Sequence, residues 1–224
     1  MFIASFVVLL AAFSVQAHFP FIVPEADGTA AKVVFSDTLA PDTNVNIDKI
    51  AGTRFTVRDA QGAEAALTAK LGGKKDEGFL ALSLPKGARL VYGVTDYGVL
   101  QVGDAKPFKL MYYPKAVIGF TSSKDATIGE KSPLEIVPVS VFGKVKFQVL
   151  ASGKPLPEIE VGVTPPDGKK KAMKTDKEGL TPEFEGNGRY GATAKWIESK
   201  SGDFAGKKYD EVRNYATLVV DFVK

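Results

Sequence analysis

The chain of 224 residues has no cysteine, one histidine and one tryptophan. Without cysteine there can be no disulfide, no thiolate metal site and no thiol nucleophile, so stability has to come from a buried core. With His18 as the only histidine, a serine-histidine-acid triad would have to recruit that residue, and clustered-histidine metal sites are excluded. No glycine-rich phosphate loop precedes a helix, and no acidic loop has the spacing of a calcium hand. Charge is nearly balanced, 29 basic against 26 acidic residues for a net +3, which gives no electrostatic reason to expect a nucleic-acid partner. Few segments hold a helical period for long.

The N-terminus carries the clearest compositional signal. Met1 to Ala17 contain no charged side chain, and Phe2 to Phe13 form an apolar run centred on Phe6, Val7, Val8, Leu9 and Leu10. The run is too short for a bilayer, which takes about 20 apolar residues. Val15 and Ala17 supply small residues three and one positions before His18-Phe19-Pro20, where the composition changes. This is the pattern of a cleavable export signal over 1–17, although it lacks the usual basic residue near the start. Cleavage there leaves 207 residues, periplasmic or secreted, with no transmembrane span.

From Lys32 onward the pattern is one of short β-type runs broken by glycine, proline and Asp-Gly turns. Strands are expected at Thr53 to Arg58, Phe79 to Leu84, Ala88 to Val94, Phe108 to Tyr113, Val145 to Leu150, Ile159 to Thr164, Arg189 to Trp196 and Tyr215 to Val223. In the first, Phe55 and Val57 alternate with Arg54, Thr56 and Arg58, the mark of a half-buried antiparallel strand. Asn44 to Ile50 suits a short helical turn. Turns every eight to twelve residues or so are what a β-sandwich shows. Gly119 to Ser132 is polar and poor in large apolar groups, like a connector. The expected organisation is all-β: an export signal at 1–17, a β-sandwich at 18–119, a linker at 120–132 and a second β-sandwich at 133–224.

In the second half, Gly153-Lys154-Pro155-Leu156, Val161-Gly162-Val163, Thr175-Asp176-Lys177-Glu178-Gly179 and Gly188-Arg189-Tyr190 follow in an order that resembles the prealbumin-like, carboxypeptidase-regulatory sandwich. Asp176 and Gly179 also read as a tight turn on their own chemistry. Together with His18 to Pro24, Val91-Tyr92-Gly93-Val94 and Pro107 to Ala116, the chain resembles a bacterial exported family of unknown function. Its members are described as periplasmic components of nickel or cobalt uptake. The resemblance implies a metal role for His18 alone, and it brings in as partners a metal ion and a membrane transporter or other envelope protein.

A mature N-terminal histidine offers two nitrogen donors, the α-amine and the ring, able to close one chelate on nickel, cobalt or copper. The competing reading is a residue left by cleavage, packed or solvated beside Phe19 and Phe21. Histidine-brace copper oxidases need a second histidine, and this chain has none. Other donors would be Glu25, Asp27, Asp37, Asp96, Tyr97, Met111 or Tyr112. Of these Asp96 stands out, because Val94 to Gly98 ends a strand where a carboxylate could face a site. The simpler reading of Asp96 is a turn cap before Gly98. Tyr92, Tyr97, Tyr112 and Tyr113 could line a cleft or pack as core. Trp196, Tyr190 and Phe184 read as the core of the second half. Glu158 and Glu160, two apart on a strand, read as a solvent-facing stripe, and Lys169 to Lys171 with Lys174 and Lys177 as a solvated hairpin tip.

The reading is therefore non-enzymatic: a protein that binds a divalent transition metal through His18, with Asp96 as a further donor. Its alternative is an adhesion-like scaffold that binds a protein or glycan.

Overall fold

The computed structural model describes residues 18–72 and 78–223, so the expected export signal lies outside the described residues. In chain order the strands are β1 (Phe19–Pro24), β2 (Ala30–Ser36), β3 (Arg54–Asp59), β4 (Glu64–Leu67), β5 (Lys70–Gly72), β6 (Phe79–Ser83), β7 (Ala88–Leu100), β8 (Phe108–Val117) and β9 (Glu135–Val141). There follow β10 (Lys144–Ala151), β11 (Lys154–Pro155), β12 (Glu160–Thr164), β13 (Lys171–Lys174), β14 (Gly188–Glu198), β15 (Gly202–Phe204), β16 (Lys207–Tyr209) and β17 (Glu211–Phe222). The only helical segment among the described residues is a 3-10 turn at Ile47–Ile50, capped by the Asn46 side chain on the Asp48 N–H.

The all-β expectation holds, but the two halves are not separate sheets. One eight-stranded sheet, ordered β13-β12-β14-β17-β8-β7-β3-β4, contains strands from both. The join is a parallel pairing of β17 with β8, running from Glu211 opposite Phe108 to Val220 opposite Val117. A four-stranded sheet β1-β2-β6-β5 and a three-stranded sheet β11-β10-β9 complete the main architecture, with β15-β16 a separate hairpin.

Side-chain alternation along the central strands explains the layering. Val91, Tyr112 and Val219 pack into a core shared with Phe21, Ile22, Val33 and Leu82 of the four-stranded sheet. Their neighbours Leu90, Tyr113, Leu218 and Val220 point the other way, into a core with Ile136, Phe147 and Val149 of the three-stranded sheet. The central sheet is thus a layer common to both cores. Phe184 and Tyr190 lie in the second core with Trp196 packed against it, as expected.

The connector at 120–132 is tied down from both sides. Lys115 on β8 and Glu135 on β9 form a buried ion pair of 2.6 Å, with side-chain exposures of 2% and 1%. Lys115 Nζ also donates to the Ala126 carbonyl at 2.9 Å. Glu135 accepts the Ile128 and Gly129 N–H groups at 3.0 and 2.8 Å. Arg58 adds a 2.7 Å bond to the Thr127 carbonyl. Burial drives the Lys115 ammonium pKa down, against the upward pull of Glu135. The polar segment expected to be a linker is stitched to the central sheet, because its Ala126 carbonyl and its Ile128 and Gly129 N–H groups are what satisfy the buried pair.

Prolines sit where the ladders can spare an N–H. Pro20 on edge strand β1 turns its carbonyl away from β2, accepting the Thr217 hydroxyl at 2.6 Å. By alternation, Pro24 faces the same edge. Pro114 lies in central strand β8, where the β7–β8 ladder has a gap between Tyr92–Lys115 and Thr95–Tyr112. Further along, the register, unchanged across that gap, shifts between Asp96 and Gly98, a bulge at Tyr97.

Candidate functional site

His18 immediately precedes β1 and is held by its neighbours from three directions. Its Nε2 lies 3.2 Å from Asp42 Oδ2. Its ring sits 6.1 Å from that of Phe35. Its carbonyl accepts the Tyr112 hydroxyl at 3.4 Å. Asp42 itself is positioned by a local turn, its Oδ1 accepting the Asn44 N–H at 2.9 Å. That N–H, with the His18 ring as a smaller influence, holds the Asp42 carboxyl below its ordinary pKa. A carboxylate can only accept, so the bond assigns a proton to Nε2, and in the neutral ring Nδ1 is then the nitrogen with the lone pair.

Asp42 is the residue that sequence reasoning missed. The only local hint was the Asp42-Thr43-Asn44 turn, because the contact with His18 spans 24 positions.

The donor singled out in the sequence lies elsewhere. Asp96 is on β7 with Leu90, Tyr92 and Val94, whose side chains belong to the second core, whereas His18 contacts Phe35 of the first. The central sheet therefore stands between Asp96 and His18. Asp96 Oδ2 is paired with Lys109 Nζ at 2.8 Å, and its Oδ1 is buried without a hydrogen-bond partner. Glu25 pairs with Lys32 at 3.2 Å, and Asp27 closes a turn on the Thr29 N–H at 2.9 Å. Met111 packs on the second core. Among the described residues, no group of three or more His, Asp or Glu side chains could hold a metal ion.

The tyrosine set is divided by the same sheet. Tyr112 packs edge-on against Tyr97 and Phe35 at 5.7 and 6.0 Å, while Tyr113 donates to Asn214 Oδ1 at 3.1 Å on the opposite face. Burial pushes both hydroxyls well above the usual tyrosine pKa. These residues form core and seam, not a joint cleft. Glu158 and Glu160 do not share a strand face either, since β12 begins at Glu160 and Glu158 has φ +57°.

A different concavity is present. Over strands β12, β13 and β14 the first face of the central sheet is not covered by the four-stranded sheet, leaving a groove of about 900 Å³ flanked by Phe19, Leu39 and Tyr215. No helix among the described residues is long and apolar enough to cross a membrane.

No known protein family and no characterised protein matches the chain. Among solved structures it is similar to a pullulanase complexed with maltotriose from Anoxybacillus sp. LM18-11, at 16% identity and a TM-score of 0.22, over 80% of this chain and 24% of that one. A second structure of pullulanase from Anoxybacillus sp. LM18-11 gives 14% identity and a TM-score of 0.23, over 86% and 27%. The chain thus spans about a quarter of the length of these structures. Similarity at that level is too low to transfer a fold or a function.

Proposed function

We propose that this is an exported, non-enzymatic protein that captures a divalent transition metal, nickel, cobalt or copper, at a mature N-terminal His18. The observation that carries the reading is the His18–Asp42 contact. Metal-binding histidines commonly donate their second ring N–H to a carboxylate, which fixes the tautomer and raises the basicity of the ligating nitrogen. Here the N–H given to Asp42 is the one on Nε2, so Nδ1 is the free donor. Nδ1 and the α-amine of the same residue are the two nitrogens that close a chelate on one ion.

The residues fit such an ion in a limited way. Two nitrogens from His18 with an anionic carboxylate behind the ring make a weak, open site, suited to capture and release. The remaining coordination positions would be filled by water or by donors of the envelope transporter or other partner that takes the metal on. The chain's own contribution is to hold the imidazole: Asp42 orients it, Phe35 flanks it, and the Tyr112 hydroxyl anchors the backbone beside it.

The test is a titration of the correctly processed protein with nickel, cobalt and copper, with the N-terminus identified by mass spectrometry. Stoichiometric binding lost when the α-amine is acetylated supports the reading. A mature N-terminus elsewhere, or binding no tighter than that of His18→Ala, overturns it.

A further inference from the structure

The groove over β12–β14 has a floor built differently from an ordinary solvated sheet face. Where long polar side chains would be expected, it carries Gly162, Ala172 and Thr193. A Cβ at Gly162 would lie 2.8 Å from Thr193 Oγ1 and 3.1 Å from Lys170 Cε, so the Lys170 side chain lies across this glycine. Leu39 reaches across from the other layer to cover Gly191, where a Cβ would meet it at 3.1 Å. Gly162 and Gly191 thus make room on the sheet for the Lys170 and Leu39 side chains.

That flank is aromatic. Phe19 and Tyr215 lie 5.5 Å apart at 52°, and Tyr215 is backed by Tyr112 at 5.7 Å. Both are half-buried and line the groove, with Lys195 Nζ over the Tyr215 ring at 6.0 Å from its centroid. The remaining lining mixes acceptors and donors: Asp37 and Glu160 against Lys170 and Lys195, with the hydroxyls of Thr38 and Thr164. Arg189 is also present, but Asp221 neutralises it in a two-bond pair of 2.9 and 2.8 Å. The carboxylates and ammonium groups therefore balance.

These features select a class of ligand. Balanced charge gives no advantage to a polyanion or a polycation. The floor is a sheet face whose backbone groups are paired within the ladders, so a ligand lying on it meets side chains and not free backbone groups. An open volume within the usual range for ligand pockets, with apolar rings on one side and fixed donors and acceptors on the other, suits a molecule that is apolar on its faces and hydroxylated at its rim. We propose that this groove binds a neutral oligosaccharide, with its C–H faces against Phe19 and Tyr215 and its hydroxyls on Glu160, Lys170 and Lys195. This site is independent of the metal reading, and neither requires the other.

The experiment uses the full mature chain, titrated separately with maltohexaose, cellohexaose and xylohexaose, and with an oligogalacturonate as the anionic control. Amide shifts are followed by NMR and affinities by calorimetry, at up to about 10 mM ligand, enough to saturate a site of about 1 mM Kd. At least one neutral oligosaccharide is expected to shift amides within 160–172 and 189–195. Two variants locate the contact. Ala172→Arg places a long side chain on the groove floor at an exposed position, and Tyr215→Leu removes a ring while keeping apolar volume. Each is expected to weaken binding at least about tenfold with the amide spectrum otherwise intact. The proposal is overturned if none of the three neutral oligosaccharides shifts these amides, if Ala172→Arg binds as the parent does, or if the anionic control binds more tightly than all three.

Discussion

Replacing Glu135 by alanine is expected to cost the fold about 5 kcal/mol. The pair it forms with Lys115 is almost wholly removed from solvent, so screening does not soften the loss. Breaking a buried pair by deleting one partner costs about 3 to 5 kcal/mol, because the other charge stays buried. Glu135 also accepts the Ile128 and Gly129 N–H groups, and each one stranded adds roughly 1 to 3 kcal/mol where it cannot reach water. Relaxation of the 126–129 segment toward solvent returns part of that sum. Because a domain has only about 5 to 15 kcal/mol in total, Glu135→Gln is the milder companion, keeping one acceptor for the N–H groups. Lys115→Met with Glu135→Leu removes both charges yet still strands the two N–H groups, so it should recover only part of the loss. Urea unfolding with unchanged m-values reads these differences, and hydrogen exchange should show Ile128 and Gly129 losing protection. A Glu135→Ala protein within about 1 kcal/mol of the parent would refute the reasoning, as would full recovery in the double variant.

Three further outcomes follow from the geometry. Phe142, wholly exposed with φ +47° at the turn between β9 and β10, occupies a left-handed position that suits asparagine, so Phe142→Asn should stabilise by about 0.5 to 1 kcal/mol and raise Tm; an unchanged or lower Tm counts against this. Tyr112, Tyr113 and Tyr215 have hydroxyl pKa values raised by burial above the ordinary 10.0, so the stability they lend is complete below about pH 10 and is lost as pH rises through the folded values. Tyrosinate absorbance and circular dichroism should then change together, and early ionisation in a folded protein would contradict the assignment. Asp42→Asn should weaken metal binding at His18 by about 10- to 100-fold without altering Tm appreciably, measured by calorimetry on the processed protein; unchanged affinity would remove Asp42 from the site.

How much of this was legible in the sequence depended on range. Thr53 to Arg58 announced β3 through alternation, and Asp176 with Gly179 announced a turn that the structure closes on the Glu178 and Leu180 N–H groups at 3.0 and 2.8 Å. Strand β1 went unread because Pro20 and Pro24 look like breakers until the strand is known to be an edge. The same holds for β9, an edge strand containing Pro138. Strand β8 was cut short at Tyr113 because Pro114 argues against a central strand, and only the gap in its ladder to β7 shows how the proline is accommodated. Asp96 was chosen as a donor from its place near a strand end, but one residue of alternation decides which face it serves. The carboxylate that reaches His18 does so through a loop closure that no local pattern records.

The position of β17 sets the order in which this molecule can assemble. It is C-terminal to every other strand and yet lies in the interior of the eight-stranded sheet, between β14 and β8. Until residues 211–222 arrive, β8 and β14 each have no partner on one side, and each core lacks wall residues such as Val219 or Leu218. The N-terminal half therefore cannot mature in isolation as the chain emerges, and the decisive pairing joins segments about a hundred positions apart. A chain shortened by that strand would lose its centre and not its margin, so the two halves fold together or not at all.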